Sequence, residues 1–361
     1  MKIIRGFSVF ILIFGALYLM GPRVETPELN MDIVKVPSDL NILKKWIDEK
    51  ENALGNVRPG NASRIIFNDS LPQKTKYSVL YLHGFTASGM EGDPVHRDIA
   101  KALNANLFIP RLFGHGLDED EPMLAFNNID YWQSAKEAIA VAKQLGNHVI
   151  LLGTSHGGSL SLSLGTDPSI KAICLFGPNI SVFDPFSKLL SRPWGLQIAR
   201  LVKGGNYHIW ENATPEKKKF WTTKTRLESV THMQKFLDLK KYLIEREIDI
   251  MSKLHHPNIV QFLGYIEDPF IIIMEYIPNG NLQNRIPYLK KKQKIKIMIN
   301  ILQGLTYLHK RLPVSLIHRD IKPTNILLTA SNFAKIQTVS YTHLRAHETV
   351  LDLVCRLLLE K

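Results

Sequence analysis

At 361 residues, with 45% apolar and 22% charged side chains, the chain has core material for two ordinary domains and too little charge for wholesale disorder. The formal charge of +12 raises a nucleic-acid or anionic-membrane partner, but the basic clusters Lys217 to Lys219 and Lys290 to Lys292 read as exposed helix ends with no nucleic-acid motif beside them, so no nucleic acid is expected. Two cysteines, Cys174 and Cys355, exclude a disulfide framework and any zinc-ligand spacing.

In chain order, Lys2 and Arg5 precede an apolar run from Gly6 to Met20, and polar, proline-containing sequence follows from Gly21. That pattern over residues 1–22 fits an uncleaved membrane anchor through residues 6–20 as well as an export signal, and with Lys2 and Arg5 held inside the remainder faces outward. Residues 77–177 then alternate short β-rich runs with helical stretches: YSVLYLHGF, NANLFIP, a helix around Tyr131 to Leu145, HVILLG, a further helix, and KAICLFG. Such alternation predicts a parallel sheet covered by helices, with Cys174 as a buried thiol in its last run. Residues 182–237 turn polar and aromatic, with Trp194, Trp210, Phe220 and Trp221 spread over stretches that read as the amphipathic helices of a lid.

The sharpest feature of this half is Gly153-Thr154-Ser155-His156-Gly157, placed directly after HVILL and before the helix-compatible GSLSLSL. A serine nucleophile needs a tight strand-to-helix turn that lifts its hydroxyl out of the sheet, and flanking glycines remove side chains that would clash there. The helix N-terminus and the backbone N–H of His156 then face a developing oxyanion, and VLYLHGF offers the N–H of Phe85 as the second donor. Together HGF, PRLFGHG and GTSHGG, in this order, resemble the α/β-hydrolase superfamily, most nearly its small carboxylesterases and monoacylglycerol-lipase-like members, over about residues 60–238. The resemblance implies a small ester or lipid substrate, no cofactor, and Ser155 as the attacking group.

The same family takes its acid and then its histidine from later strands, and these are not evident after KAICLFG. Asp184, in the loop after that strand, is the fallback for the acid. His208 and His232 read as lid surface residues, and His115 and His156 belong to loop motifs whose histidines are not the family's base. Little or no esterase turnover is therefore expected.

From about Lys240 the style changes again. His318-Arg319-Asp320-Ile321-Lys322-Pro323-Thr324-Asn325 has the types that phosphoryl transfer needs: an aspartate for the hydroxyl proton, a lysine for the moving phosphate, an asparagine for the metal. With the helix ILQGLTYLH before it, the strand FIIIMEYIPNGNL and the helix EREIDIMSKLHHPNIV, the stretch of about residues 240–336 resembles a serine/threonine-type protein kinase. The resemblance implies Asp320 as catalytic, Lys322 and Asn325 at phosphate and metal, Glu247 as the ion-pair glutamate, Met274, Glu275 and Tyr276 at the gatekeeper and hinge, and ATP with Mg as cofactors. Yet no G-x-G-x-x-G loop or V-A-I-K strand precedes Glu247, and FAKI continues into QTVSYTHLRAHET where D-F-G is due.

The last stretch, SYTHLRAHETVLDLVCRLLLEK within residues 337–361, resembles the translation of a sequencing-library adapter. Both junctions cut their families in mid-domain, as a chimeric or misassembled reading frame does. The expected fold is α/β: a partial hydrolase sheet with a helical lid, followed by an incomplete α+β kinase fold. The expected function is a membrane-anchored or exported serine hydrolase by ancestry, with a kinase fragment and a non-catalytic chimeric product as the alternatives.

Overall fold

The computed structural model describes residues 13–337 apart from Ile33, Thr166, Phe183, 267–270 and 311–320. The chain divides into two compact units, Met1–Lys241 and Tyr242–Lys361. Residues 13–19 are helical, and among the described residues no helix is long and apolar enough to cross a membrane; the front of the apolar run, residues 6–12, lies outside the described residues.

In the first unit, helix α1 (Leu40–Leu54) starts where the Asp39 carboxylate accepts the N–H groups of Asn41 and Ile42, and it stops at Gly55, whose φ of 71° an ordinary side chain disfavours. Strand β1 (Arg64–Ile66) and β2 (Thr75–Leu82) follow, then a 3-10 turn at Gly89–Gly92, α2 (Val95–Ala102) and β3 (Asn106–Ile109). Helix α3 (Asn128–Leu145), capped by Asn127, leads into β4 (Gly146–Thr154), the buried α4 (His156–Leu164) and β5 (Ile170–Phe176). The sheet order is β1-β3-β2-β4-β5, parallel throughout except for β1 on β3.

Successive strand residues face opposite sides, and the core divides accordingly. Leu80, Leu82, Val149 and Leu151 pack on one side with Tyr131, Trp132, Ala135 and Ala142 of α3, while Val79, Tyr81 and Leu152 pack on the other with Ala100 of α2. This layering follows the alternation read from the sequence; β1 and α1 were not anticipated there.

The last strand departs from expectation. KAICLFG pairs with β4 but is the open edge of the sheet: Ile173 is 37% and Phe176 39% exposed, and Cys174 is an exposed free thiol rather than a buried one. An apolar run buries both faces only when a further strand and its helices cover it, and among the described residues none pairs with β5.

The lid-like stretch is also not all helix. A 3-10 turn (Pro185–Ser191) and α5 (Gly195–Lys203) are followed by a hairpin of β6 (Tyr207–Ile209) and β7 (Lys224–Arg226) that encloses α6 (Pro215–Phe220). The threonine-rich WTTKT interrupts the helical pattern because β-branched residues pack well on a pleated strand, and the Lys224 ammonium lies 4.0 Å from the Tyr207 ring centroid across the pair. Helix α7 (Leu227–Ser252) then carries the chain past Lys241.

The second unit has its own smaller core. Antiparallel strands β8 (Phe262–Ile266) and β9 (Ile271–Met274) come first, then the short α8 (Leu282–Arg285), α9 (Lys291–Lys310), and the hairpin of β10 (Ile326–Leu328) and β11 (Ala334–Ile336). Ile297, Ile301, Leu305 and Leu308 make one stripe of α9 at helical spacing and meet Ile326, Leu328 and Ile336. A side chain at Gly304 would stand 2.8 Å from Ile336 Cδ1 and 3.1 Å from the Asn258 carbonyl, so glycine sets how closely α9 approaches β11.

Two substitutions separate the covered strand from the open one. Leu151→Ala, in the core of β4, is expected to cost about 2–5 kcal/mol of stability, whereas Ile173→Thr on β5 stays within about 0.5 kcal/mol, both read by urea unfolding. Maleimide should modify Cys174 without denaturant, mapped by peptide mass spectrometry.

Candidate functional site

Ser155 stands between β4 and α4 with φ 50° and ψ −116°, a conformation that a non-glycine residue adopts only when its surroundings enforce it. Those surroundings are visible. The Ser155 N–H donates to the Phe176 carbonyl at 3.0 Å, and its own carbonyl accepts from Gly158, Ser159 and Asn179 N–H groups at 3.0, 3.3 and 2.9 Å. A side chain at Gly153 would lie 2.3 Å from Ser161 Oγ, and one at Gly157 would lie 2.1 Å from the Leu82 carbonyl and 2.5 Å from that of His83. The glycines of the motif are therefore steric requirements of the turn.

Phe85, whose N–H is the second oxyanion donor expected from the sequence, sits on the loop after β2. Phe85 is half-buried, and its N–H has no hydrogen-bond acceptor among the described residues, as an anion-receiving donor requires. Just before it, Gly84 donates its N–H to Glu91 Oε2 at 2.6 Å. The same oxygen lies 3.2 Å from the Tyr81 hydroxyl, which is 2.9 Å from Thr154 Oγ1. Glu91 was missed in the sequence, where an acidic residue in SGMEGDP carries no signal of its own. Burial raises its carboxyl pKa against the lowering effect of the Gly84 and Tyr81 donors.

Four histidines, His83, His96, His115 and His156, are buried around this end of the sheet. His83 Nε2 accepts from the Leu112 N–H at 3.2 Å, so Nδ1 carries the proton and donates to the Gly84 carbonyl at 2.9 Å. That ring ties the HGF loop to PRLFGHG. His115 donates from Nδ1 to the Phe113 carbonyl, and its Nε2 is buried without a partner. His156 is stacked on Tyr131 with centroids 5.3 Å apart and packed edge-on against Phe236 at 5.1 Å, and neither of its ring nitrogens has a partner. Desolvation lowers His83 to about 4 and His156 to about 3, and it holds His115 well below its ordinary range, so all three are neutral at pH 7.

Among the described residues the Ser155 hydroxyl has no hydrogen-bond partner, histidine or otherwise. Asp184 is exposed and caps the 3-10 turn after it by accepting the Phe186 N–H at 2.9 Å; no histidine is bonded to it among the described residues. His208 is exposed on β6 rather than on a helix, and His232 is half-buried on α7 with Nδ1 unpartnered.

In the second unit, Asp320 lies outside the described residues and Glu247 is placed on α7 without a described side chain. Lys322 and Asn325 bound the 3-10 turn before β10, where the Asn325 N–H donates to the Lys322 carbonyl at 2.9 Å. Met274 ends β9, Tyr276 is 85% exposed, and Glu275 is engaged structurally: its N–H meets the Gln261 carbonyl, and its carboxylate takes the Gln261 N–H at 2.7 Å and Lys335 Nζ at 2.5 Å. Leu263 is 63% exposed on β8, and the sheet of β8 and β9 has no third strand among the described residues. Among the described residues no three histidine, cysteine or acidic side chains cluster as a metal site of that kind would need.

Comparison with known proteins finds two families in the chain. The alpha/beta hydrolase family matches residues 79–239 and the protein kinase domain matches residues 212–338, so the chain combines a segment of each, and the matches overlap over residues 212–239. The second segment is 43% identical over 97 residues to the Arabidopsis thaliana calmodulin-binding receptor-like cytoplasmic kinase 3, covering 25% of this chain and 19% of that protein. It is 43% identical over 94 residues to the serine/threonine-protein kinase VIK of the same plant, covering 24% and 20%, and 40% identical over 97 residues to its receptor-like protein kinase THESEUS 1, covering 25% and 11%. The chain thus spans a fifth or less of the length of these curated relatives.

The buried histidines set a pH dependence. In the unfolded chain they titrate near the ordinary 6.5, while the folded values of about 4 for His83 and about 3 for His156 lie lower, so between these limits the unfolded state binds more protons. Stability is expected to be level above pH 7 and to fall as pH drops from about 6.5 towards 4, read by urea unfolding; His156→Phe should flatten part of that slope.

Proposed function

We propose that the first unit is a serine hydrolase site for carboxylic esters, small or lipid-like, that keeps its anion-binding groups and lacks the base that would activate Ser155. The observation that carries this reading is the strained turn at Ser155, held by glycine contacts on both sides, beside a Phe85 N–H left without an acceptor. A bound ester would set its carbonyl carbon over Ser155 Oγ and its oxygen towards the N–H groups of Phe85 and His156 at the α4 N-terminus. Those dipoles stabilise charge as it develops.

The serine proton, however, has no acceptor, and an unassisted hydroxyl is a weak nucleophile at neutral pH. The residual effect is then that of anion stabilisation and binding alone, roughly 10³–10⁴-fold over water. In this reading the run at residues 6–20 attaches the unit to a membrane or directs its export, and the kinase-like unit transfers no phosphate, because no glycine-rich loop, ATP-anchoring lysine or D-F-G accompanies its catalytic-loop octet.

Hydrolysis of a short-chain nitrophenyl ester should proceed slowly and without a burst, and Ser155→Ala should lower it less than tenfold, against about a 10⁶-fold fall where a complete triad loses its serine. A burst, or a loss of several orders of magnitude in Ser155→Ala, would show an intact relay. For the second unit, millimolar ATP with magnesium should leave the melting temperature unchanged, since a ligand that binds the folded state at a hundred times its Kd adds about 2.7 kcal/mol. A rise of several degrees that Lys322→Ala and Asn325→Ala remove would restore the kinase reading.

A further inference from the structure

Glu91 is unused by the chemistry just described, yet it lies against the nucleophile. The point at which a side chain on Gly84 would begin is 3.0 Å from Glu91 Oε1 and 3.2 Å from Ser155 Cβ, so the carboxyl and the serine both close on the side of Gly84 that a side chain would occupy. Oε2 takes the Gly84 N–H and the Tyr81 hydroxyl. A carboxylate only accepts, so Tyr81 donates to Glu91, and the Tyr81 hydroxyl also lies 2.9 Å from Thr154 Oγ1, one residue before Ser155.

The arm that delivers Glu91 is itself fixed. A side chain at Gly92 would lie 2.5 Å from the Tyr81 ring and one at Gly89 would lie 2.2 Å from Ile109 Cγ2, while His96 Nε2 is 2.9 Å from the Gly89 carbonyl. Polar contacts thus run without a gap from the oxyanion loop through Glu91 and Tyr81 to the elbow.

We propose that Glu91 is a positioning residue: through Gly84 it holds the Phe85 N–H in register with Ser155, so that the anion-binding donor on one loop and the nucleophile on the other move as one body. The inference rests on the serine-hydrolase reading of the site. A negative charge so near the oxyanion works against catalysis, so the useful property of Glu91 is its acceptor oxygen, which glutamine also supplies.

The test uses the full chain, nitrophenyl butyrate, and the variants Glu91→Ala, Glu91→Gln and Tyr81→Phe, each checked for its melting temperature. Glu91→Ala should lose about 10- to 100-fold in kcat with KM within twofold, the size expected of a misplaced anion donor. Glu91→Gln should stay within threefold of the parent. Deuterium exchange of the amides at residues 83–86 should quicken in Glu91→Ala and not in Glu91→Gln.

Parent kcat in Glu91→Ala, or a fall in Glu91→Gln as deep as in Glu91→Ala, overturns the proposal. Should Glu91→Ala not fold, Tyr81→Phe removes one leg of the brace and is expected to lower kcat a fewfold; no change there overturns it equally. If the parent shows no hydrolysis above buffer, the ester-hydrolase reading fails, while unaltered amide exchange in Glu91→Ala would still dispose of the brace.

Discussion

The close approach of α4 to the end of β2 is the constraint from which the hydrolase-like unit takes its form. Gly157 sits where any side chain would penetrate the carbonyls of Leu82 and His83, and Gly153 sits where one would strike Ser161 and Gly157. With both positions free of side chains, the helix starts within contact of the neighbouring strand, and Ser155 is left in a conformation it would not choose. Three hydrogen bonds to its carbonyl hold it there. The same approach brings the HGF loop beside the elbow, so the geometry of the anion site follows from backbone packing.

Around that contact the protein has placed side chains that stay uncharged. His83, His115 and His156 are neutral by desolvation, and they serve as packing and as loop ties rather than as proton carriers. A low-dielectric surround strengthens every dipole aimed at an oxyanion, and the same surround makes an added charged base costly unless a partner carboxylate is supplied with it. Asp184 is tied to its own turn and, among the described residues, bonds no histidine.

Both units end at uncovered apolar surface. In the first, Ile173 and Phe176 of β5 face solvent at an unpaired sheet edge; in the second, β8 and β9 expose Leu263 and Tyr265, and α9 exposes Ile295, Ile299 and Leu302 outside its buried stripe. Open strand edges and contiguous apolar faces favour association in solution. Among the described residues no strand covers β5, and the strand that would do so is also the one expected to carry an acid.

Much of this was legible from residue order alone. Strand and helix alternation, the glycine-flanked serine after HVILL, and the octet His318 to Asn325 are local patterns, and local patterns are fixed by sterics and periodicity within a few residues. The sequence also indicated that acid and base have no evident source after KAICLFG. It could not foresee that Cys174 would be exposed, because an apolar strand reads the same whether or not a neighbour covers it. Nor could it foresee the hairpin of β6 and β7 or the place of Glu91, seven residues beyond Gly84 yet bonded to its N–H. Those were decided by long-range pairing, in which the burial of a face and the partner of a carboxyl depend on residues that chain order does not bring together.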